Sequence, residues 1–196
     1  MQTQERAITL VDAILPRVTV TRDILLVISF AAITALCAKV SFHVGLVPVT
    51  GQTFAVLLAG ALLGSRRGAM SQVTYLAIGA AGMPFWFAPT TAPGVAAFAG
   101  PTAGYLVGFV PAAFAVGFLV ERGWDRRVWT MAISLLLGLG FVYALGLSWL
   151  AHFMTSPAVL LTEGLYKFLP GEAVKLAMLS AAMPLGWALM SRMGRQ

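Results

Sequence analysis

The chain has 196 residues, of which 59% are hydrophobic and only 10% are charged. A soluble globular protein usually carries about a quarter charged residues, so this composition excludes an ordinary soluble enzyme or binding domain. The net charge of +6 comes without a basic groove interleaved with stacking aromatic residues, so we expect contact with anionic lipid heads and not with nucleic acid. The sequence predicts an integral membrane protein.

The first element in chain order is an N-terminal arm, residues 1–21. Its apolar residues recur at roughly helical spacing among charges: Ile8, Val11, Leu15 and Val18. Such a pattern is typical of an amphipathic helix that lies on a membrane surface. We therefore expect a cytoplasmic arm followed by a transmembrane domain over residues 22–193.

Six apolar stretches follow, each close to the roughly 20 residues needed to cross a bilayer. They cover residues 24–42, 48–64, 69–83, 102–120, 128–152 and 172–190. These stretches are apolar on all sides, whereas the strands of a barrel would alternate polar and apolar residues. The second and third are short and hold Gln52, Gln72 and Thr74, so we expect them to be broken, tilted or lining a polar cavity. The sequence predicts an all-α fold of six transmembrane helices.

Basic residues predict the orientation of these helices. Ten of the 13 Lys and Arg residues fall in the arm, the second loop, the fourth loop or the C-terminus, which share one side if six helices alternate. The other three, Lys39, Lys167 and Lys175, fall toward the opposite side. Because cytoplasmic loops retain Lys and Arg, both termini are predicted to be cytoplasmic.

Glu172 and Lys175 lie three residues apart at the mouth of the last apolar stretch. Either ion alone in hydrocarbon would be costly, so an intramembrane pair is a functional-site hypothesis by default. A salt bridge at the end of a helix is the alternative.

The third loop, residues 83–94, contains Pro, Thr, Gly and aromatic residues but no charge. This composition suits a segment that folds back over the helices and walls a pocket. An aromatic belt at the membrane interface explains Trp86 and Phe87 equally well.

Small residues recur where helices would touch, and Ala31 and Ala35 form one such ridge on the first helix. Small residues at this spacing let helix backbones approach closely. The ridge is therefore either internal packing or a flat docking face for another membrane protein.

Several short motifs occur in order along nearly the whole chain: VPVTGQT at 47–53, LLAGALLG at 57–64, GMP at 82–84, GPTAGYLVGF at 100–109 and FLPGEAVK at 168–175. In this order they resemble the BioY family, the biotin-binding S components of energy-coupling-factor (ECF) transporters. The resemblance implies six transmembrane helices in a bacterial inner membrane, with a pocket on the extracytoplasmic side.

The resemblance also implies partners. The chain lacks a glycine-rich phosphate-binding loop, so ATP hydrolysis is expected in a pair of partner ATPases, joined to this chain by a transmembrane coupling protein. Ala31 and Ala35 resemble the small-residue face that S components offer to the coupling protein. We expect no cofactor, metal or catalytic residue, and the sequence leaves open whether the chain forms homo-oligomers.

Biotin has an apolar bicycle, a ureido group and a carboxylate tail, and the candidate ligand-binding residues are Glu172, Lys175, Gln52, Tyr75, Trp86, Phe87, Thr91 and Tyr105. Glu172 would accept ureido N–H bonds and Lys175 would donate to an oxygen. Two positions depart from the family pattern: Glu172 replaces the usual Asp, and the third loop has no cation. Thr hydroxyls, backbone N–H groups or Lys175 must then bind the ligand carboxylate.

Two other functions stay open. One is an S component for a different small vitamin. The other is an intramembrane enzyme, with Glu172 and Lys175, or His43 and His152, as acid and base; the two histidines lack the flanking ligands or carboxylates that such chemistry needs.

Overall fold

The computed structural model describes residues 9–15, 19–42, 45–89 and 91–193. The α-helices are α1 Leu10–Ile14, α2 Val20–Lys39, α3 Gln52–Leu63, α4 Ser65–Ala80, α5 Ala103–Val120, α6 Val128–Leu150, α7 Pro157–Gly164 and α8 Leu169–Met193. Single 3₁₀ turns lie at Gly94–Ala99, Trp124–Arg126, Ala151–Phe153 and Tyr166–Phe168. Ile8, Val18 and His43, which the sequence singled out, lie outside the described residues.

The fold is mostly helical, as predicted, and also contains one short antiparallel hairpin. Strand β1, Ser41–Phe42, pairs with strand β2, Val49–Thr50, so that Ser41 lies opposite Thr50. The Gly51 N–H donates to the Val40 carbonyl at 2.9 Å and extends this pairing to the start of α3. The predicted second span therefore begins with a strand, because its first residues pair with the end of the preceding connection.

Within the described residues, four helical stretches are long and apolar enough to cross a membrane: Val20–Lys39, Ala103–Val120, Val128–Phe153 and Pro157–Arg192. Helix α3 is apolar but has 12 residues, which at 1.5 Å per residue makes it about 18 Å long. Helix α4 has 16 residues, with Arg66 and Arg67 in its first turn. These two are the segments predicted to be short, and the count of six spans stays a prediction.

Glycines let α5 pack closely at the centre of the bundle. A Cβ atom at Gly108 would lie 2.9 Å from the Cα of Val142 in α6, and one at Gly104 would overlap the backbone of Leu145. Farther along α5, Gly117 lies directly against the turn between α3 and α4. Close packing of this kind helps helices to associate in membranes. The hydrophobic effect does not drive them together there, because lipid tails are as apolar as the helix surfaces.

The turn between α3 and α4 is held by a carboxylate from α5. Gly64 has φ +84°, a conformation that glycine adopts without strain. Glu121 follows the end of α5 and accepts hydrogen bonds from the Ser65 N–H at 2.7 Å and the Ser65 hydroxyl at 2.8 Å. A negative charge at the N-terminus of α4 is also favourable for the helix dipole.

The described part of the arm, α1, is tied to this same end of the bundle. Asp12 accepts hydrogen bonds from both Arg67 and Arg22, each at 2.8 Å. Burial acts to raise the pKa of Asp12, but the hydrogen bonds from Arg67, Thr9 and Arg22 outweigh it and hold the pKa at about 2. Helix α2 starts at Val20, where the Thr19 side chain caps it.

The far end of α8 is anchored by Asp125, which precedes α6 and is fully buried. The Trp187 indole N–H donates to its carboxylate, and the Arg126 guanidinium lies 3.3 Å from the centre of the Trp187 ring. Burial raises the pKa of Asp125, against the lowering effect of these two neighbours. This cluster joins α8 to the connection between α5 and α6.

The prediction that Ala31 and Ala35 form a docking face is wrong for this conformation. Ala31 is 0% exposed and Ala35 is 6% exposed, and both belong to the chain's own core with Tyr75 and Val56. A methyl group without exposed surface cannot contact a partner. The ridge is internal packing, the other interpretation of the same spacing.

Candidate ligand-binding site

A cavity opens at the end of the bundle where α3, α5 and α8 begin. Its free space, open solvent at the mouth included, is about 480 Å³. The hairpin and the loop between α4 and α5 cover it. Its lining residues are Val47, Pro48, Thr50, Gln52, Thr53, Ala88, Thr91, Thr102, Tyr105, Leu106, Phe109, Val142, Tyr143, Phe168 and Glu172.

Glu172 is the charged residue of this lining. It lies in the first turn of α8 and is 3% exposed. Its Oε1 accepts hydrogen bonds from the Thr53 hydroxyl at 2.7 Å and from Lys175 at 2.9 Å. Its Oε2 is buried without a hydrogen-bond partner among the described residues. Tyr143 lies beside this carboxylate, but its hydroxyl does not meet hydrogen-bond geometry at Oε2.

An unpartnered buried acceptor is costly, by about 1 to 3 kcal/mol and by more when it is charged. A carboxylate oxygen in this state is therefore poised to accept a hydrogen bond from whatever fills the cavity. The Oε2 atom of Glu172 is the strongest polar feature of the site.

Lys175 lies behind Glu172 and does not line the cavity. Its ammonium group donates to the Thr53 hydroxyl at 2.7 Å, the Thr50 carbonyl at 2.8 Å and Glu172 at 2.9 Å. An ammonium has three protons to donate, so these contacts use all of them. In this conformation Lys175 uses its three donors within the protein, and a direct bond from Lys175 to a ligand oxygen stays a prediction.

Gln52 lines the cavity at the start of α3. Its amide donates to the Tyr75 hydroxyl at 2.7 Å, and its carbonyl accepts from the Thr50 hydroxyl at 2.9 Å. Tyr75 is 0% exposed and lies one layer behind the lining. The hydrogen bonds to Tyr75 and from Thr50 thus fix the orientation of the Gln52 amide.

Trp86 and Phe87 pack behind the cavity and do not line it, which corrects their assignment as its apolar wall. The Trp86 indole N–H donates to the Tyr75 carbonyl at 2.8 Å. The Phe87 ring meets the Tyr75 ring edge to face at 5.4 Å between centroids and fills the space beside Gly79. The apolar walls come instead from a set that includes Leu106, Phe109, Val142 and Phe168.

Tyr105 and Thr91 line the cavity as expected, in different ways. The Tyr105 hydroxyl donates its proton to the Gly164 carbonyl at 2.8 Å, so this group could only accept a hydrogen bond from a ligand. Thr91 comes from the loop between α4 and α5, together with Ala88. This uncharged loop therefore folds back over the helices.

Sequence reasoning missed Thr53, Tyr143, Phe109 and Phe168. Thr53, Phe109 and Phe168 lie within the motifs quoted above, but such contacts join positions far apart in the chain: Thr53 and Glu172 are separated by 119 positions. His152, considered as an acid or base, is exposed, with its Nδ1 3.1 Å from the Trp149 carbonyl. Among the described residues, His, Cys, Asp and Glu do not gather in groups of three that could hold a metal.

The model of the BioY family matches residues 4–192. The chain belongs to the BioY family. The resemblance drawn from the motifs is thereby confirmed. A biotin transporter of this family from Rhizobium etli is 34% identical over 183 residues, which cover 87% of this chain and 97% of the relative.

Two further relatives support the assignment. A biotin transporter from Rhodobacter capsulatus is 37% identical over 175 residues, covering 79% of this chain and 87% of the relative. A probable biotin transporter from Pyrococcus horikoshii is 36% identical over 156 residues, covering 80% and 90%. Both carry the BioY name.

The fold is also found in a solved structure. The crystal structure of the S-component for biotin from an ECF-type ABC transporter superposes with a TM-score of 0.74 at 24% sequence identity. The match covers 92% of this chain and 96% of the other. The chain therefore has the fold of an ECF S component.

Proposed function

We propose that this chain is the biotin-binding, substrate-specific membrane subunit of an ECF-type uptake transporter. Membership of the BioY family and its biotin-transporter relatives support a transport subunit over an enzyme. The observation that carries the proposal is Glu172, which lines a cavity with largely apolar walls and has a buried Oε2 without a hydrogen-bond partner in the described part of the chain.

Biotin fits this arrangement chemically. Its ureido N–H groups are donors for Oε2, and its bicycle matches the apolar surface of Leu106, Val142 and Phe168. The third loop supplies no cation, so the carboxylate tail binds to hydroxyl groups at the mouth, from Thr91 and Thr102. The hydrogen bonds from Lys175 and Thr53 hold the Glu172 side chain in place in the lining of the cavity.

In this proposal six helices, α2 to α6 and α8, cross a bacterial inner membrane, with both termini in the cytoplasm. The four long apolar stretches support several crossings, and the clustering of Arg at one end supports the orientation. A transmembrane coupling protein and paired ATPases supply the energy, and lipid surrounds the exposed helix faces. The arm, residues 1–21, lies on the cytoplasmic surface.

The test is equilibrium binding of labelled biotin to the purified protein, beside a panel of other vitamins. Glu172→Gln and Lys175→Met each leave an unpaired buried group, so affinity should fall by roughly thirtyfold or more. Glu172→Asp keeps the charge and should be the mildest of the three.

Glu121→Gln is the matched control, because this carboxylate caps α4 at the other end of the bundle. It should leave affinity unchanged. Binding of a different vitamin in place of biotin would assign the chain another substrate, and chemical alteration of recovered biotin would indicate an enzyme. Near-native affinity of both the Gln and Met variants would reduce the pair to a structural salt bridge.

A further inference from the structure

The loop between α4 and α5, residues 81–102, is fastened to α2 by one side chain. Lys39, the last residue of α2, donates from Nζ to the Phe87 carbonyl at 2.9 Å, across 48 positions of sequence. Among the described residues, this is the one hydrogen bond that joins α2 to the loop. The residue after Phe87, Ala88, lines the cavity, and so does Thr91.

The contact falls at a bend that the backbone does not adopt readily. Phe85 has φ +57° and is the one residue other than glycine with a positive φ in the described parts of the chain. Its ring is 88% exposed and its centre lies 5.9 Å from Lys39 Nζ. Lys39 thus contacts the loop on both sides of Trp86, at the point where the chain turns toward the cavity.

Two other contacts of the loop have different structural roles. The Phe87 ring anchors it in the core against Tyr75. The Trp149 indole N–H donates to the Gly100 carbonyl at 2.9 Å, at the fixed end where α5 is about to begin. Lys39 is neither a core residue nor a lining residue, so core packing and ligand contact do not explain its bond.

We propose that Lys39 is a positioning residue that latches this loop over the cavity and sets the rate at which ligand enters and leaves. The inference rests on the proposed function, since Ala88 and Thr91 cover a binding site only if the cavity takes biotin. The latch is a single charge-assisted hydrogen bond at an exposed position, so it opens at a modest free-energy cost.

The kinetic signature follows from where the latch acts. Both of its ends belong to the protein, so the bond is present whether or not the cavity is occupied. An interaction that is equal in the free and bound states cannot change affinity. Loss of the Lys39 bond raises the fraction of molecules with an open loop, both with and without ligand, so association and dissociation both become faster. Loss of a ligand contact such as Glu172, in contrast, mainly lowers affinity.

The experiment measures association and dissociation rates of fluorescent biotin with the full chain in detergent. Lys39→Met should raise both rates by about three- to tenfold, with less than a twofold change in Kd. Lys39→Arg, which keeps the donor and the cation, should stay close to the unaltered protein. Trp149→Phe removes the bond to Gly100 and is the matched control, with both rates unchanged.

Unchanged rates in Lys39→Met, or a rise in dissociation alone with weaker binding, would overturn the latch. An equal effect of Trp149→Phe would also overturn it, because any tether would then suffice. If Lys39→Met does not fold, Lys39→Gln, with a shorter neutral side chain, takes its place.

Hydrogen exchange without ligand separates this idea from the proposed function. The Thr91 N–H donates to the Ala88 carbonyl at 2.8 Å within the loop. Its exchange should be faster in Lys39→Met whether or not the chain binds biotin. If the wild-type protein does not bind biotin, the proposed function is contradicted but the exchange measurement is still valid. If exchange of the Thr91 N–H is the same in Lys39→Met and in the wild-type protein, only the latch is contradicted.

Discussion

A single hydroxyl group connects the charged pair to the opposite wall of the site. The Thr53 hydroxyl donates to Glu172 and accepts from Lys175, both at 2.7 Å. A hydroxyl can do both at once because it has one proton and two lone pairs. Thr53 therefore positions the carboxylate of Glu172, whose second oxygen has no hydrogen-bond partner among the described residues.

Replacing Thr53 by Val keeps the shape of the side chain and removes both bonds. One net hydrogen bond is worth about 1 kcal/mol and more when a charge takes part, so we expect biotin affinity to fall by about tenfold. Equilibrium binding measures the change. Thr162→Val is the control, since that hydroxyl is exposed and bonds only to its own helix; equal affinities of the two variants would contradict this role.

At the residue scale, charge and motif order in the sequence were enough to predict some of the site residues. Glu172 stood out because a carboxylate in an apolar stretch needs a reason to be there. Thr53 and Tyr143 did not, because a neutral hydroxyl has no such cost and its partner lies far away in the chain. Trp86 and Phe87 were misassigned because composition shows that a loop packs on the helices without showing which rings reach the cavity.

At the scale of helices, the glycines of α5 decide how closely its neighbours approach. A methyl group at Gly108 would meet the backbone of α6, at the Cα of Val142, and backbone cannot move aside as a side chain can. Gly140 on α6 has open space around its Cβ position. The two positions form a matched pair of helical glycines.

Gly108→Ala should destabilise the protein by about 1 to 3 kcal/mol through overpacking. Gly140→Ala should be neutral or stabilising by up to about 1 kcal/mol, because alanine favours the helix. Thermal unfolding in one detergent compares the two. A Gly108 variant as stable as the Gly140 variant would show that α5 and α6 can separate without cost.

Helix boundaries could be predicted where hydropathy alone determines them. The predicted stretch 102–120 corresponds to helix α5, Ala103–Val120, and the predicted stretch 128–152 to helix α6, Val128–Leu150. The stretch 48–64 became the shorter Gln52–Leu63. Its first residues are apolar enough to join a span, but they pair with Ser41 and Phe42, and hydropathy contains no signal for a pairing partner.

For the whole molecule, orientation is the property that remains to be measured. Arg66 and Arg127 are exposed at the end of the bundle opposite the cavity, while Thr91 lies at its mouth. In a background without Cys37, Arg66→Cys and Arg127→Cys should resist a membrane-impermeant thiol reagent in intact cells, and Thr91→Cys should react unless biotin shields it. Labelling of both arginine positions from outside would contradict cytoplasmic termini.

The family could be predicted from the sequence because its short motifs occur in the expected order over nearly the whole chain. The arrangement of the molecule around them could not. Burial of Ala31 and Ala35, for example, depends on which side of α2 turns toward α4, and small residues suit an internal and an external contact equally well.

The bond from Lys175 to the Thr50 carbonyl has a thermodynamic consequence. It joins α8 to strand β2 through groups that belong to the protein alone, so this strand is held in place without the help of a ligand. The conformational entropy of ordering that segment is lost on folding and not on ligand binding. A pocket with mostly neutral lining residues can then convert more of its contact energy into affinity, because it is preorganised.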